Sequence, residues 1–442
     1  MTFTLSEEYD QDFSISIGST LAANQTIQLR RVVITGLGAV TNLGHDVEST
    51  WDGIVTGRSG IGPLTAFEQD ETWTVNIAGE VRDFDPTKRI EAGEVKKMDR
   101  ASVLAVYAGI EAAEDSGYDF LNDGDPYMHG VALGSGIGGV ITMEEQFAKL
   151  MTTGPRKVSP FTVPKLMVNA SAGNLSIRLN LRGANTAVAT ACASGAHSIG
   201  AAFHLIQRGD ATIMVAGGTE APITKLPLSA FAKMRALSTR NDDPQAASRP
   251  FDRGRDGFLL SEGAGIVVLE DLEHAQARGA KIYAEIVGFG SSGDAGHIAA
   301  PDENGTGAYH AMLHALKGAG MSPEDIEYVN AHGTSTPLGD SAEVAAVKQL
   351  FGDHAYKMMV SSTKSMTGHT LGAAGGLETI FVTKALQDGI VPPTMNLDDP
   401  DDGMDLDFVA NEARRTPIKA ALNNSFGFGG HNVSLVLKTF EG

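Results

Sequence analysis

The chain of 442 residues holds a single cysteine, Cys192. One thiol excludes an internal disulfide framework and any metal site built on several thiolates. Basic residues are scarce: 34 lysines and arginines stand against 54 aspartates and glutamates, a formal charge of −20. Nucleic-acid binders carry a basic footprint, so no nucleic-acid partner is expected. No apolar run reaches the ~20 residues that cross a bilayer, so no membrane partner is expected either. Residues Met1 to Gln28 contain Glu7, Glu8, Asp10 and Asp12 but no lysine or arginine. A secretory leader starts basic before its apolar stretch, and a transit peptide is Arg-rich and acid-poor. Residues 1–29 therefore read as a polar N-terminal extension of a soluble, cytoplasmic protein. Short solenoid periods are missing, and so is low complexity apart from the acidic turn Asp398–Asp402.

What is present is a layered α/β pattern. Hydrophobic residues make up 42% of the chain, and the 52 glycines fall singly between apolar runs, as turns between strands and helices do. Arg30 to Gly38 reads as a buried parallel strand entering a βα unit. The same signature returns at Val131–Gly136, Thr186–Ala191, Thr212–Gly218 and Gly265–Leu269, with helical spacing between, as in Ser102 to Ile110. A second, more compact series follows: Ile282–Gly290, Ile326–Asn330, Met358–Ser362 and Asn432–Leu437. Two similar series imply an internal duplication, with two sheets packed across shared helices and halves at 30–281 and 282–442.

Four segments carry candidate chemistry. Cys192 lies in Ala191-Cys192-Ala193-Ser194-Gly195, after an apolar strand and before a helical run. A helix N-terminus offers free N–H groups and a positive dipole end, which lower a thiol pKa. The bland reading is a small buried hydrophobe. His332 follows a strand in a loop of glycine and hydroxyl residues that includes Thr334 and Thr336, open to a substrate. Lys364 and His369 occupy a third strand-then-polar-loop segment, Ser361 to His369. Metal binding by His332 and His369 lacks a carboxylate or thiol at the usual ligand spacing. The fourth segment, Asn423 to Asn432, sets Phe428 between Gly427 and Gly429, a hinge-like loop that could carry the ring in and out of a pocket. Glycines at Gly134–Gly139 resemble a phosphate-cradling loop but lack the Lys-Ser/Thr of a P-loop and an acidic ribose partner.

In this order the four segments resemble the β-ketoacyl-acyl carrier protein synthases of the thiolase superfamily, from about Arg31 to the C-terminus. The resemblance implies a thiolase-like duplicated five-layered αβαβα fold, a homodimer, and a transferase of fatty acid biosynthesis. It implies Cys192, His332 and His369 as the catalytic set with Lys364 in support, an oxyanion hole and gate at Cys192, Phe428 and Phe426, and substrate contacts at Ile137, Thr334, Thr336 and Asp294. Acyl-coenzyme A-dependent relatives usually carry asparagine where His369 stands, and a thiolase needs a second catalytic cysteine. His431 replaces a threonine common in bacterial relatives, and Ala299 a hydroxyl residue in the loop Asp294–Pro301, which leaves the subgroup and that gate open.

The implied reaction is acylation of Cys192, then loss of CO2 from a malonyl thioester as His332 and His369 stabilise the enolate, then attack on the acyl-enzyme. No cofactor is expected. A structural monovalent cation near Asn330, Glu378 and Asn423 is one reading of those residues, and an Asn–Glu hydrogen-bond network the other. The expected partner is an acyl carrier protein, acyl- or malonyl-loaded. An acidic carrier requires a local basic surface, for which Lys96, Lys97, Arg156, Lys157 and Arg235 are the candidates. A polyketide ketosynthase shares this site. A chain-length-factor-like subunit would lack the nucleophile, and a binding module would form no covalent adduct.

Overall fold

The computed structural model describes residues 29–441; the expected polar extension lies outside the described residues apart from Leu29. Ten strands form the principal sheet. In the first half these are β1 (Val32–Val40), β2 (His129–Gly134), β3 (Asn185–Val188), β4 (Ile213–Glu220) and β5 (Gly263–Asp271). The second half holds β6 (Ala284–Gly293), β7 (Tyr328–Asn330), β8 (Met359–Ser361), β9 (Ala420–Gly427) and β10 (His431–Lys438). Their spatial order is β8-β7-β9-β10-β6-β1-β5-β4-β2-β3.

The duplication is visible strand by strand. The first half runs 1-5-4-2-3 and the second 6-10-9-7-8, the same order with five added. Pairing sense repeats as well: β2 is parallel to β3 and β4, as β7 is to β8 and β9. The β4–β5 and β5–β1 pairs are antiparallel, as are β9–β10 and β10–β6. β1 is thus antiparallel to its neighbours, not the parallel strand its apolar run was read as. Such a run reports burial on both faces, which a central antiparallel strand also has.

The two halves are also not separate sheets. Three register pairs, Val32–Ile286, Val33–Glu285 and Ile34–Ala284, join them edge to edge. The helices that build the layers are α1 (Arg100–Ser116), α2 (Val140–Thr153), α3 (Ala170–Leu179), α4 (Ser194–Gln207), α5 (Thr306–Ala319), α6 (Pro337–Phe351) and α7 (Ala374–Asp388). Beyond the joining ladder the halves part to enclose α4 and α7. One core cluster holds Ile199 and Phe203 of α4 and Ile380 and Phe381 of α7 against Val267, Leu269, Ala421 and Val433 of both halves. α1 covers the outside of the first half through Leu104 and Ile110, and α5 and α6 cover the second through Met312, Leu316 and Val347. The layers are therefore helix, sheet, helix, sheet, helix. Glycines stand where a central helix approaches the sheet most closely: a Cβ on Gly376 of α7 would lie 2.2 Å from the Gly265 carbonyl oxygen of β5. The site residues lie just past the C-terminal ends of β3, β7, β8 and β9, where parallel strands of α/β folds open their ligand crevices.

Candidate active site

β3 stops at Val188, and the chain turns through Thr190–Ala193 into α4. Ala191 takes φ +48°, a left-handed conformation that costs a side-chain-bearing residue energy and marks functional corners. Ser194 fastens the corner: its hydroxyl accepts from the Thr190 N–H at 2.9 Å and donates to the Ala191 carbonyl at 2.6 Å. Gly427 closes it from the other side. A Cβ there would lie 2.7 Å from the Thr190 carbonyl oxygen and 3.1 Å from the Cys192 nitrogen. That glycine serves close packing against the nucleophile corner, not a hinge.

Cys192 is 8% exposed. Burial pushes its thiol up to about 12, against the pull of the Lys364 charge, while Glu220 pushes the same way as burial. A helix N-terminus led to the expectation of an acidified thiol; desolvation of the thiolate instead outweighs the groups that lower it, and the thiol is raised. The backbone N–H groups of Phe428 and of Cys192 reach the sulfur and lower its pKa. These are the two donors expected to hold an oxyanion.

His332 stands two residues beyond β7. Its N–H and that of Gly333 donate to the Glu343 carboxylate at 2.9 and 2.8 Å, and Asn424 donates to the same carboxylate at 3.1 Å. Lys364 opens the one-turn helix Lys364–Thr367 after β8, and His369 follows, its N–H donating to the Leu259 carbonyl at 2.7 Å. The two imidazoles meet edge to face, with centroids 5.3 Å apart and planes at 85°. Phe258 packs on His369 at 5.3 Å. Both ring nitrogens of His369 and Nδ1 of His332 are buried with no hydrogen-bond partner among the described residues. Burial, then the Lys364 charge, holds both rings well below the ordinary 6.5, so they are neutral. The Lys364 ammonium pairs with Glu378, whose carboxyl burial raises to about 7.

The cavity has a volume of about 360 Å³ and is lined by Cys192, His332, His369, Phe426 and Phe428, with Thr334, Thr336 and Asp294 in its wall. The Thr334 and Thr336 hydroxyls lie 3.0 Å apart. Phe428 tilts against Phe231 at 6.3 Å. Asn423 to Gly427, read from sequence as part of a loop, belongs to β9; the loop proper is Phe428–Gly430, a three-residue hairpin connection. Its freedom resides in Gly429 and Gly430, at φ +88° and +74°. The Asp294 N–H donates to the Gly430 carbonyl at 3.0 Å, and its carboxylate accepts from Asn432 at 2.6 Å. Ala299 also lines the cavity.

Other expected residues fall elsewhere. Ile137 is not part of the cavity lining; it packs on the apolar cluster that contains Cys192 and Leu371. The glycine turn before it is no phosphate cradle, because the Gly136 and Ile137 N–H groups are bound to Glu220. Among the docking candidates Arg235 lines the cavity. Lys96 and Lys97 follow the short helix Ala92–Val95, and Arg156 and Lys157 lie on the turn Pro155–Lys157; all four are exposed and away from that lining. Asn330 and Asn423 are register partners on β7 and β9, and Asn423 donates to Gly375 and Thr379 on α7, beside Glu378. No hydrogen bond links either asparagine to Glu378, and Asn330 Oδ1, Asn423 Oδ1 and Glu378 Oε2 are buried without a partner among the described residues.

Glu343, Phe258 and Glu220 went unread in the sequence, and Leu371 was read only as the start of a helix. Glu343 had a signal: with Asp340 it is a carboxylate on the face of α6 that carries Val344, Val347 and Phe351 at helical spacing. Among the described residues no three His, Cys, Asp or Glu side chains are grouped to hold a metal ion, and no helix is long and apolar enough to cross a membrane.

A buried cysteine at a strained strand-to-helix corner, two neutral imidazoles and a lysine, set in a duplicated sheet around two central helices, define the class of thiolase-like acyltransferases. Two family matches sharpen this: the Beta-ketoacyl synthase N-terminal domain covers residues 29–275 and its C-terminal domain residues 283–398. The chain belongs to the β-ketoacyl synthase family. It is 51% identical, over 93% of its length and 99% of the relative, to a protein of Coxiella burnetii named 3-oxoacyl-[acyl-carrier-protein] synthase 2. A protein of the same name from Vibrio harveyi is 51% identical over 92% of this chain and 98% of its own. Among solved structures, a Beta-ketoacyl synthase from Burkholderia phymatum STM815 superposes with TM-score 0.87 at 36% identity, over 93% of this chain and 100% of that one. A type II polyketide ketosynthase structure, solved with its acyl-carrier protein and a bound hexaketide, gives TM-score 0.87 at 32% identity, with the same coverage.

Proposed function

We propose that this chain catalyses decarboxylative Claisen condensation of an acyl-enzyme thioester with malonyl-acyl carrier protein, releasing 3-oxoacyl-acyl carrier protein in fatty-acid chain elongation. The observation that carries the reading is the pair of neutral, perpendicular imidazoles with unpartnered ring nitrogens, lining the same cavity as Cys192. Buried polar atoms without partners are costly, so they point to a substrate oxygen that supplies them. The 51% relatives favour the fatty-acid reading over the polyketide one, whose solved representative shares 32% identity. A chain-length-factor role is disfavoured by the nucleophile itself.

In the first half-reaction Cys192 sulfur bonds to the acyl carbonyl carbon, and the carrier sulfur leaves. The thiol proton goes to the departing carrier thiol, which suits a cysteine stored neutral. The Cys192 and Phe428 N–H groups hold the tetrahedral oxygen. In the second, the malonyl C–C bond to the carboxylate breaks, CO2 departs, and the electron pair moves to the thioester enolate. His332 and His369 each donate one N–H to that oxygen. Neutral rings suit the task, since an imidazolium would hand over its proton and quench the carbanion. The carbanion then bonds to the acyl carbon and expels Cys192 as a thiolate, which takes up a proton from solvent to restore the neutral thiol.

The three unpartnered oxygens of Asn330, Asn423 and Glu378 form an all-oxygen set that fits a hard monovalent cation. Bound there, the ion would offset the Glu378 charge and tie β7 and β9 to α7; no step of the reaction passes through it. A homodimer is supported by the edge strand β3, partly exposed, beside α3, which exposes Ile177 at 83%, and by Phe147 and Met151 exposed on α2. Arg235, exposed at the cavity, is the best placed of the proposed carrier contacts. We read 30–281 as the half bearing the nucleophile and 282–442 as the half bearing the imidazoles, in a cytoplasmic enzyme.

Intact-mass spectrometry tests the assignment. Acyl carrier thioester should add one acyl mass to the wild type and none to Cys192→Ala, and malonyl carrier should then discharge it as 3-oxoacyl product. An adduct that survives in Cys192→Ala defeats the reading.

A further inference from the structure

Directly beneath the nucleophile, backbones touch one another through glycines. A Cβ on Gly218 would lie 2.1 Å from the Gly372 carbonyl oxygen, and one on Gly372 would lie 2.6 Å from both the Gly136 nitrogen and a Glu220 oxygen. Into this knot projects Glu220, the last residue of β4 and fully buried. Its Oε1 accepts from the Ser135 hydroxyl at 2.7 Å and the Ile137 N–H at 3.1 Å. Its Oε2 accepts from the Gly136 N–H at 2.6 Å and the Gly372 N–H at 3.0 Å. Three backbone donors and a hydroxyl converge on one group, and a carboxylate, which only accepts, satisfies all of them. A glutamine would turn its NH2 toward two donors.

The carboxylate joins two turns from different halves of the fold. Ser135–Ile137 follows β2, and Leu371–Gly372 precedes α7. Ile137 and Leu371 both belong to the apolar cluster around Cys192, and Leu371 lines the cavity with φ +47°. A strained residue of this kind persists only where its surroundings hold it.

We propose that Glu220 is a positioning residue that sets the acyl-chain length accepted by Cys192, by pinning the Ile137 and Leu371 turns at a fixed separation beside the thiol. The proposal rests on the acylation step above and deepens it. A second consequence is electrostatic. Burial raises the Glu220 carboxyl's own pKa, while its four donors oppose the rise and favour the ionised form. The groups that face Cys192 are Lys364 from the turn after β8, Glu220 from β4, and the neutral rings of His332 and His369; of the two charges, Glu220 resists thiolate formation and Lys364 promotes it.

The test uses the full chain as wild type, Glu220→Gln and Glu220→Asp. Cys192 alkylation by iodoacetamide at pH 8 reports thiolate directly and requires no condensation, so it stays readable if the proposed function fails. Glu220→Gln should alkylate roughly 3- to 10-fold faster, the tenfold limit being a thiol pKa lowered by about one unit. Glu220→Asp keeps the charge and should alkylate at the wild-type rate. Acylation by carrier thioesters of graded length should change in both variants, with the long-to-short ratio moving by about 10-fold, as expected when a pocket wall shifts. A wild-type length profile in both variants overturns the positioning role. Equal acceleration of alkylation by Gln and Asp overturns the electrostatic part, since loosened packing would then explain it. If neither variant folds, Ser135→Ala removes one donor only and should shift the length profile in the same direction by a smaller factor; an unchanged profile there overturns the proposal.

Discussion

Lys364 and Glu378 form an ion pair closed off from solvent, their side chains 2% and 3% exposed. The pair bears on the electrostatics of the site, because the Lys364 charge adds to burial in keeping the His332 and His369 rings neutral and eases ionisation of Cys192. Removing one partner of a buried pair strands a charge, a loss of about 3–5 kcal/mol. Glu378→Ala should lose that much in chemical denaturation, and the double variant Lys364→Met/Glu378→Leu should recover most of it. The Glu378 carboxyl sits at about 7, above its ordinary 4.5, so its contribution to stability is full below 4.5 and lost as pH rises through 7. Lys364→Met removes the charge that restrains the shift, and the variant should therefore lose stability with rising pH over a wider range than the wild type.

The imidazoles are held below 6.5, so their donor form persists as pH falls through that value. Malonyl-thioester decarboxylation should stay flat from pH 8 to pH 6, where an unperturbed histidine of pKa about 6.5 would already be mostly charged. His332→Ala or His369→Ala should each cut decarboxylation by about 10²–10³-fold, the usual effect of losing one oxyanion donor. Acylation of Cys192 should suffer much less, and equal loss of both half-reactions would contradict the division of roles.

Gly427 and Gly429 are expected to part company. Gly427→Ala places a methyl against the nucleophile corner, so acyl-enzyme formation should fall steeply while the hairpin loop remains. Gly429→Ala forces a side chain to φ +88°, a strain of about 1–3 kcal/mol, and should slow the loop rather than the corner. Pre-steady-state acylation kinetics with graded acyl chains separate the two.

Arg235→Glu, at the cavity, should raise the apparent KM for carrier-bound substrate and flatten its salt dependence, with kcat nearly unchanged. Arg156→Glu/Lys157→Glu tests the surface beyond Arg235. A KM unmoved at low salt in both variants would show that the carrier docks elsewhere.

The sequence by itself determined the chemistry on offer and its place along the chain. An apolar run ending in a polar glycine loop is a local pattern, and it put Cys192, His332, Lys364 and His369 past strand ends, while Phe428 was read only as part of a glycine-flanked loop. The repeat of that pattern also foretold the duplication. β9 escaped notice because its Asn423, Asn424 and Ser425 read as loop residues. Their burial is possible only because partners arrive from afar, Asn424 reaching Glu343 and Ser434 on other elements. The same distance in sequence hid Glu220, whose four donors come from two turns more than 200 residues apart. Tertiary structure alone decided the environment of the thiol: a strand-to-helix corner is visible in a sequence, whereas the desolvation that raises the thiol depends on what the rest of the chain packs around the sulfur.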